Sequence, residues 1–120
     1  MRGRHRLRGL AVVLVFVLVA GCGSGPASTK YTQTWTESYG TTPCSDWRDL
    51  MDNHQRFVAA ADMLLTLRKK DGNGEIPTDE MVGAFALAMT DMCNAPAGEV
   101  ATISQIAPLV YLAFPGEFKP

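Results

Sequence analysis

The sequence predicts an all-α fold, a small bundle of about four helices stapled by one disulfide, after a disordered tether. Three observations predict it. Apolar residues recur at helical spacing between Trp47 and Tyr111, and turn-forming runs (Asp71-Gly-Asn-Gly74, Asn94-Ala-Pro-Ala-Gly98) punctuate them. Cysteines at 44 and 93 bracket most of that pattern. From Gly23 to Pro43 the chain is rich in Gly, Ser and Thr and has no helical period.

The whole-chain averages hide an asymmetry. With 120 residues, 47% apolar, and 11 Lys+Arg against 12 Asp+Glu, the balance is that of one ordinary domain. Yet Arg2, Arg4, Arg6 and Arg8 all lie in the first eight positions, and an unbroken apolar run from Leu10 to Ala20 follows. Eleven helical residues span about 16 Å, half of a hydrocarbon core of about 30 Å. The run therefore has the length of a signal-peptide core and is too short for a permanent span.

Val19-Ala20-Gly21-Cys22 resembles a bacterial lipobox: a branched apolar residue, two small residues, then cysteine. The resemblance implies diacylglycerol on the Cys22 sulfur, cleavage after Gly21, and a further acyl chain such as palmitate on the new amine. The alternative is cleavage by the ordinary peptidase with Cys22 incidental. Residues 1–21 are then the signal peptide, and the product sits on the extracytoplasmic face of the cell membrane. Each buried CH₂ contributes about 0.8 kcal/mol, so two or more chains anchor firmly where one does not. From Cys22 onward, 7 basic residues face 12 acidic ones, a formal charge of −5. A basic face for nucleic acid is missing. The length also excludes a (β/α)₈ barrel or a two-half dinucleotide fold.

Residues 22–43 are expected as lipidated N-terminus and flexible tether, with a root-mean-square reach of about 25 Å. Tyr31, Trp35 and Tyr39 stand out within it. They form either a membrane or partner contact, or a fold-back or short strand covering the domain edge.

The helical domain is expected over 44–114 and a tail over 115–120. Ser45 suits the N-cap of a first helix through Trp47, Leu50 and Met51, with Asp46 and Asp49 in its first turn. A second helix from Asn53 to Lys70 carries Phe57, Val58, Ala61, Leu64 and Leu65 on one stripe, and Arg68-Lys69-Lys70 complements its C-terminal dipole. A third starts at the Thr78 cap and buries Met81, Phe85, Ala88, Met89 and Met92. The last segment, Glu99 to Phe114, places Ile103, Ile106, Val110 and Tyr111 at helical spacing. Pro108 within it predicts a kink or two short helices. Whether residues 103–114 pack inward or face outward is open; Ile106, Leu109, Val110 and Phe114 exposed together would form a binding patch.

With Cys22 assigned to lipid, Cys44 and Cys93 remain as an even pair in an exported domain, for which a disulfide is the default. A soft-metal site of Met81, Met89 and Met92 with a cysteine is the competing arrangement. Zinc lacks paired ligands, since the cysteines are far apart and His54 is the one histidine after the signal. No cofactor or metal is therefore expected. Asp71-x-Asn73-x-Glu75 opens like a calcium loop, but Ile76 and Val82 occupy its glycine and glutamate positions. His54 has Asp52 and Asp49 nearby and no nucleophile to serve, so enzymatic activity is not expected.

The pattern Thr42-Pro-Cys-Ser-Asp-Trp-Arg-Asp-Leu50, the break at Lys69-Lys-Asp-Gly-Asn73 and the helix ending in Met92-Cys93 resemble the HdeA-type acid-stress chaperones. The chain is also similar to small actinobacterial and phage lipoproteins in its lipobox, tether and Cys-Ser-Asp-Trp entry. The HdeA resemblance covers residues 42 to 95 and implies a helical core closed by one disulfide. This chain departs from that family in its anchor, its apolar Leu109–Phe114 segment and its negative charge. The leading expectation is a lipoprotein whose non-enzymatic helical domain binds an envelope protein or peptide. Trp35, Tyr39, Tyr111 and Phe114 are its candidate contacts, with Trp47 assigned to the core. The alternatives are an acid-activated holdase or a phage-type superinfection-exclusion lipoprotein.

Overall fold

Caps and tertiary contacts together decide where each helix begins. The computed structural model describes residues 30–120. The segments expected as signal peptide (1–21), lipidation site (Cys22) and first part of the tether (23–29) lie outside the described residues. Five helices are present among those described: α1 (Cys44–Asp49), α2 (Asn53–Lys70), α3 (Asp79–Asn94), α4 (Ile103–Ala113) and the short α5 (Pro115–Phe118). One-turn 3-10 segments occupy Tyr39–Thr41 and Pro96–Glu99.

The Asp52 carboxylate accepts from the Gln55 N–H at 2.8 Å, and the Gln55 side chain accepts from the Asp52 N–H at 2.9 Å. This reciprocal box starts α2 at Asn53. Thr78 caps α3 as its sequence predicts, accepting from the Met81 N–H at 3.2 Å. Ser45 does not cap α1. That helix begins two residues earlier, with Pro43 at the cap position and no side-chain cap. The Cys44 N–H instead donates to the Ala101 carbonyl at 3.0 Å, and the Ile103 N–H to the Thr42 carbonyl at 2.9 Å. A small antiparallel bridge between Pro43 and Thr102 thus does the work of a cap. α1 also stops short of Leu50 and Met51, whose N–H groups both turn back to the Asp46 carbonyl at 2.9 Å. Met51 is buried and Leu50 is exposed.

α3 is the central helix, packing against α1, α2, α4 and α5. Val82, Phe85 and Met89 from it meet Trp47, Leu64, Ile103, Ile106, Val110 and Phe118, all fully buried. Trp47 belongs to this core, and its indole N–H donates to the Thr90 hydroxyl at 2.9 Å. α4 runs unbroken through Pro108, where a kink or a split was expected. Burial of Ile106, Ala107, Val110 and Tyr111 holds the helix together across the missing hydrogen bond.

Residues 115–120 are not a free tail. Phe118 is 1% exposed and packs edge-on against Phe85, with ring centroids 5.1 Å apart. Arg68 lies in the last turn of α2, where its charge was expected to suit the dipole, and its side chain is turned inward and buried. Its guanidinium donates to the Phe118 carbonyl at 2.5 Å and lies 3.4 Å from the Met81 sulfur. The Phe118 carbonyl has no helical N–H of its own to accept, so Arg68 supplies the donor.

The tether is shorter than composition implies. Residues 30–43 form a strap laid over α2, fixed at both ends. Lys30 bridges to Asp79 at 2.8 Å. Tyr31 stacks on Phe57 at 5.8 Å, and His54 and Gln55 hold the Thr32 and Thr34 carbonyls. At its far end Thr42 is fully buried, accepting from the Trp35 indole at 2.9 Å and donating to the Ser38 carbonyl at 2.7 Å. No strand forms along Tyr31, Gln33 and Trp35 among the described residues. The strap pairs with side chains of α2, which a count of Thr and Gly cannot reveal.

Cys44 and Cys93 are joined by a disulfide, Cα atoms 5.3 Å apart, tying the start of α1 to the end of α3. Both residues are buried.

Candidate functional site

An open cleft of about 550 Å³ lies between α2 and α4, closed on one side by Tyr39 of the strap. α2 contributes Asp62, Leu65, Thr66 and Lys69, and α4 contributes Ala107 and Pro108. The floor is apolar and the rim polar. Ser104 stands beside it, and Pro108 has no N–H to give the Ser104 carbonyl, so that acceptor is released by the helix at the cleft wall.

The Tyr39 hydroxyl donates to the Asp62 carboxylate at 3.2 Å and accepts from the Gln33 side chain. Burial, followed by the nearby Asp62 charge, pushes the phenol up to about 12. It therefore remains a donor at every physiological pH. Tyr111 behaves alike, one turn further along α4: its hydroxyl donates to Asp71 at 2.6 Å, and burial with that bond raises it to about 12. The cleft offers shape, apolar floor, one carboxylate and Lys69 with Lys70 at one end.

These two phenols carry a pH prediction. Their folded values lie above the ordinary 10, so the unfolded chain loses those protons first and folding binds them more tightly. The stability they contribute is complete below pH 10 and is lost as pH rises towards 12. Tyr111→Phe is expected to flatten that alkaline decline in urea midpoints measured from pH 8 to 12. An unchanged slope would count against it.

Of the aromatic contacts expected from sequence, the structure brings one to this cleft. Tyr39 lines it; Trp35 is half-buried in the strap, and Phe114 is 44% exposed, beside Phe118. Tyr111 is a correction. At 3% exposure it is a core residue with its hydroxyl spent on Asp71, and it cannot serve as a contact. The patch considered over Ile106, Leu109, Val110 and Phe114 also divides, since Ile106 and Val110 are fully buried and Leu109 and Phe114 are exposed.

The residues weighed for chemistry are structurally engaged. His54 contacts the Thr32 carbonyl at 2.9 Å, and Asp52 caps α2. Asp71 takes Tyr111, and the Asn73 side chain accepts from the Glu75 N–H at 2.9 Å as a turn. Cys93 is committed to the disulfide and Met89 to the core, which leaves the soft-metal arrangement without a thiolate. Asp62, Thr66 and Pro108 were the cleft residues missed. Asp62 and Thr66 stand four apart beside the apolar stripe of α2, but nothing in their spacing says that α4 stands off at that point.

No protein-family model matches the chain, and no curated protein or solved structure matches it either. Among the described residues no helix is long and apolar enough to cross a membrane.

Proposed function

We propose that this chain is a membrane-anchored extracytoplasmic lipoprotein whose helical domain binds a protein or peptide without chemistry. The observation that carries the binding role is the cleft between α2 and α4, with an apolar floor of Leu65, Ala107 and Pro108 under a rim of Asp62, Thr66 and Lys69. Such a lining suits an extended or helical peptide whose apolar side chains enter the floor and whose amides meet Asp62 and the Ser104 carbonyl. The lipobox at Val19–Cys22 and the Cys44–Cys93 pair support an address outside the cytoplasm.

Two measurements test the parts separately. The anchor predicts a globomycin-sensitive mass shift at Cys22, and an unmodified mature chain would remove it. For the cleft, a photo-crosslinking residue at exposed position 66 is expected to yield a discrete adduct at the envelope, whereas one at exposed position 84 on α3 is not. Thr66→Trp, which fills the cleft from its rim, is expected to abolish binding of that same species at least about tenfold. Equal labelling from both positions would count decisively against the cleft. The acid-activated holdase is separated by the same domain at pH 2–3, where it would expose apolar surface and suppress aggregation of a client.

A further inference from the structure

We propose that the cleft between α2 and α4 takes a free oligopeptide of three or four residues, with its terminal ammonium at Asp62 and its terminal carboxylate at Lys69 and Lys70. The proposal rests on the binding role of this cleft and adds to it the chemical class and the length of the occupant.

Both ends of the cleft are bounded. At one end the Tyr39–Thr41 turn crosses from α2 to the start of α4. The Tyr39 hydroxyl donates to the Asp62 carboxylate at 3.2 Å, and the Ile103 N–H donates to the Thr42 carbonyl at 2.9 Å. At the other end the Tyr111 hydroxyl reaches Asp71 at 2.6 Å and joins the last turn of α4 to the end of α2. The two helices thus run side by side in the same direction, with a trough between two crossings. A long segment laid along it would meet the Tyr39 turn, whereas a chain of a few residues lies within. The volume of about 550 Å³ is that of a small-ligand site.

Charge completes the match. Asp62 and Lys69 line the cleft seven residues apart on one face of α2. That separation is about 10.5 Å along the helix axis, and three extended residues span about 10 Å. Asp62, Lys69 and Lys70 are all exposed and enter no ion pair among the described residues. The Tyr39 phenol takes one Asp62 oxygen, which leaves the second for an ammonium. Between the two charged ends the floor of Leu65, Ala107 and Pro108 suits small apolar side chains. The Ser104 carbonyl, freed by Pro108, accepts a backbone N–H from the occupant. A zwitterion carries both complementary charges at this spacing by virtue of its own termini, whatever its sequence. An internal segment of a protein would need a basic and an acidic side chain in the same register and a way past Tyr39.

The test titrates Ala-Leu-Ala, its N-acetyl form and its C-terminal amide into the full mature chain in detergent micelles, followed by amide shifts in NMR. Shifts at 62–70 and 104–107 are expected, and acetylation and amidation are each expected to weaken binding about tenfold. Asp62→Asn, which keeps an acceptor for Tyr39, is expected to erase the acetylation penalty and keep the amidation penalty. Lys69→Gln with Lys70→Gln is expected to do the reverse. These positions are exposed, so neither variant disturbs the core. Equal affinity of free and blocked forms would overturn the proposal, as would tighter binding of a seven-residue peptide of the same composition. A penalty from acetylation alone would assign the cleft to the amino terminus of a longer chain and equally overturn it. If none of the three peptides shifts these amides, the oligopeptide is excluded, while the adduct from position 66 reports separately on whether the cleft binds at all.

Discussion

Replacing Cys44 and Cys93 together by alanine is expected to lower the stability of the domain by about 4 kcal/mol, read as a fall in urea midpoint. The bridge spans 49 residues in sequence, so it removes a large loop-closure entropy from the unfolded chain. Both residues sit in the core, at 0% and 1% exposure, where alanine leaves no unsatisfied hydroxyl. A domain of this size has a net stability of the same order, so the double variant is expected to be largely unfolded at 37 °C. Reductant should reproduce the effect in the wild type and leave the variant unmoved. A loss under about 1 kcal/mol would mean that helix packing alone holds the bundle.

Gly98→Ala is expected to cost roughly 3 kcal/mol, a drop in Tm of about 15 °C for a domain of this length. A Cβ at this position would fall 2.0 Å from the Cys93 carbonyl oxygen, 2.5 Å from its carbon and 2.7 Å from its Cα. All three are backbone atoms, and none can swing away. The Pro96–Glu99 turn would have to lift from the end of α3. The same oxygen accepts from the Arg48 guanidinium at 3.2 Å, so that bond would be displaced as well. Because the clash falls on Cys93 itself, Gly98→Ala and the double alanine variant should be non-additive. A Tm within about 2 °C of wild type would show that this turn is free to move.

Helix position was open to reading because it is set locally. Asn53 to Lys70 and the Thr78 start follow from apolar spacing, a cap and a Gly-rich break, all within a few residues of one another. Val82 was missed on α3, although it is fully buried, because the helix is covered on more than one side and a single stripe underestimates it. The burial of Arg68 was hidden for a related reason. Its neighbours Lys69 and Lys70 are solvated as a C-terminal cation should be, while Arg68 lies one step round the helix and meets the Phe118 carbonyl from a segment fifty residues away. The cleft was illegible. Tyr39 could be singled out as an aromatic, but its meeting with Asp62 depends on where the strap crosses α2.

The amino-acid sequence by itself determined the all-α class, the long helices, the pairing of Cys44 with Cys93 and the burial of Trp47. Each follows from periodicity, capping or the count of cysteines, which need no knowledge of distant neighbours. Tertiary structure alone decided that residues 30–43 are a strap, that Phe118 completes the core, that Tyr111 is inside, and that a cleft opens beside Pro108. Those outcomes depend on contacts between segments remote in the chain: the Pro43–Thr102 bridge, the Lys30–Asp79 pair and the Arg68 bond to Phe118. A polar, Thr-rich stretch becomes ordered only when another element supplies the surface and the hydrogen-bond partners that offset its entropy, and composition does not encode where that surface will be.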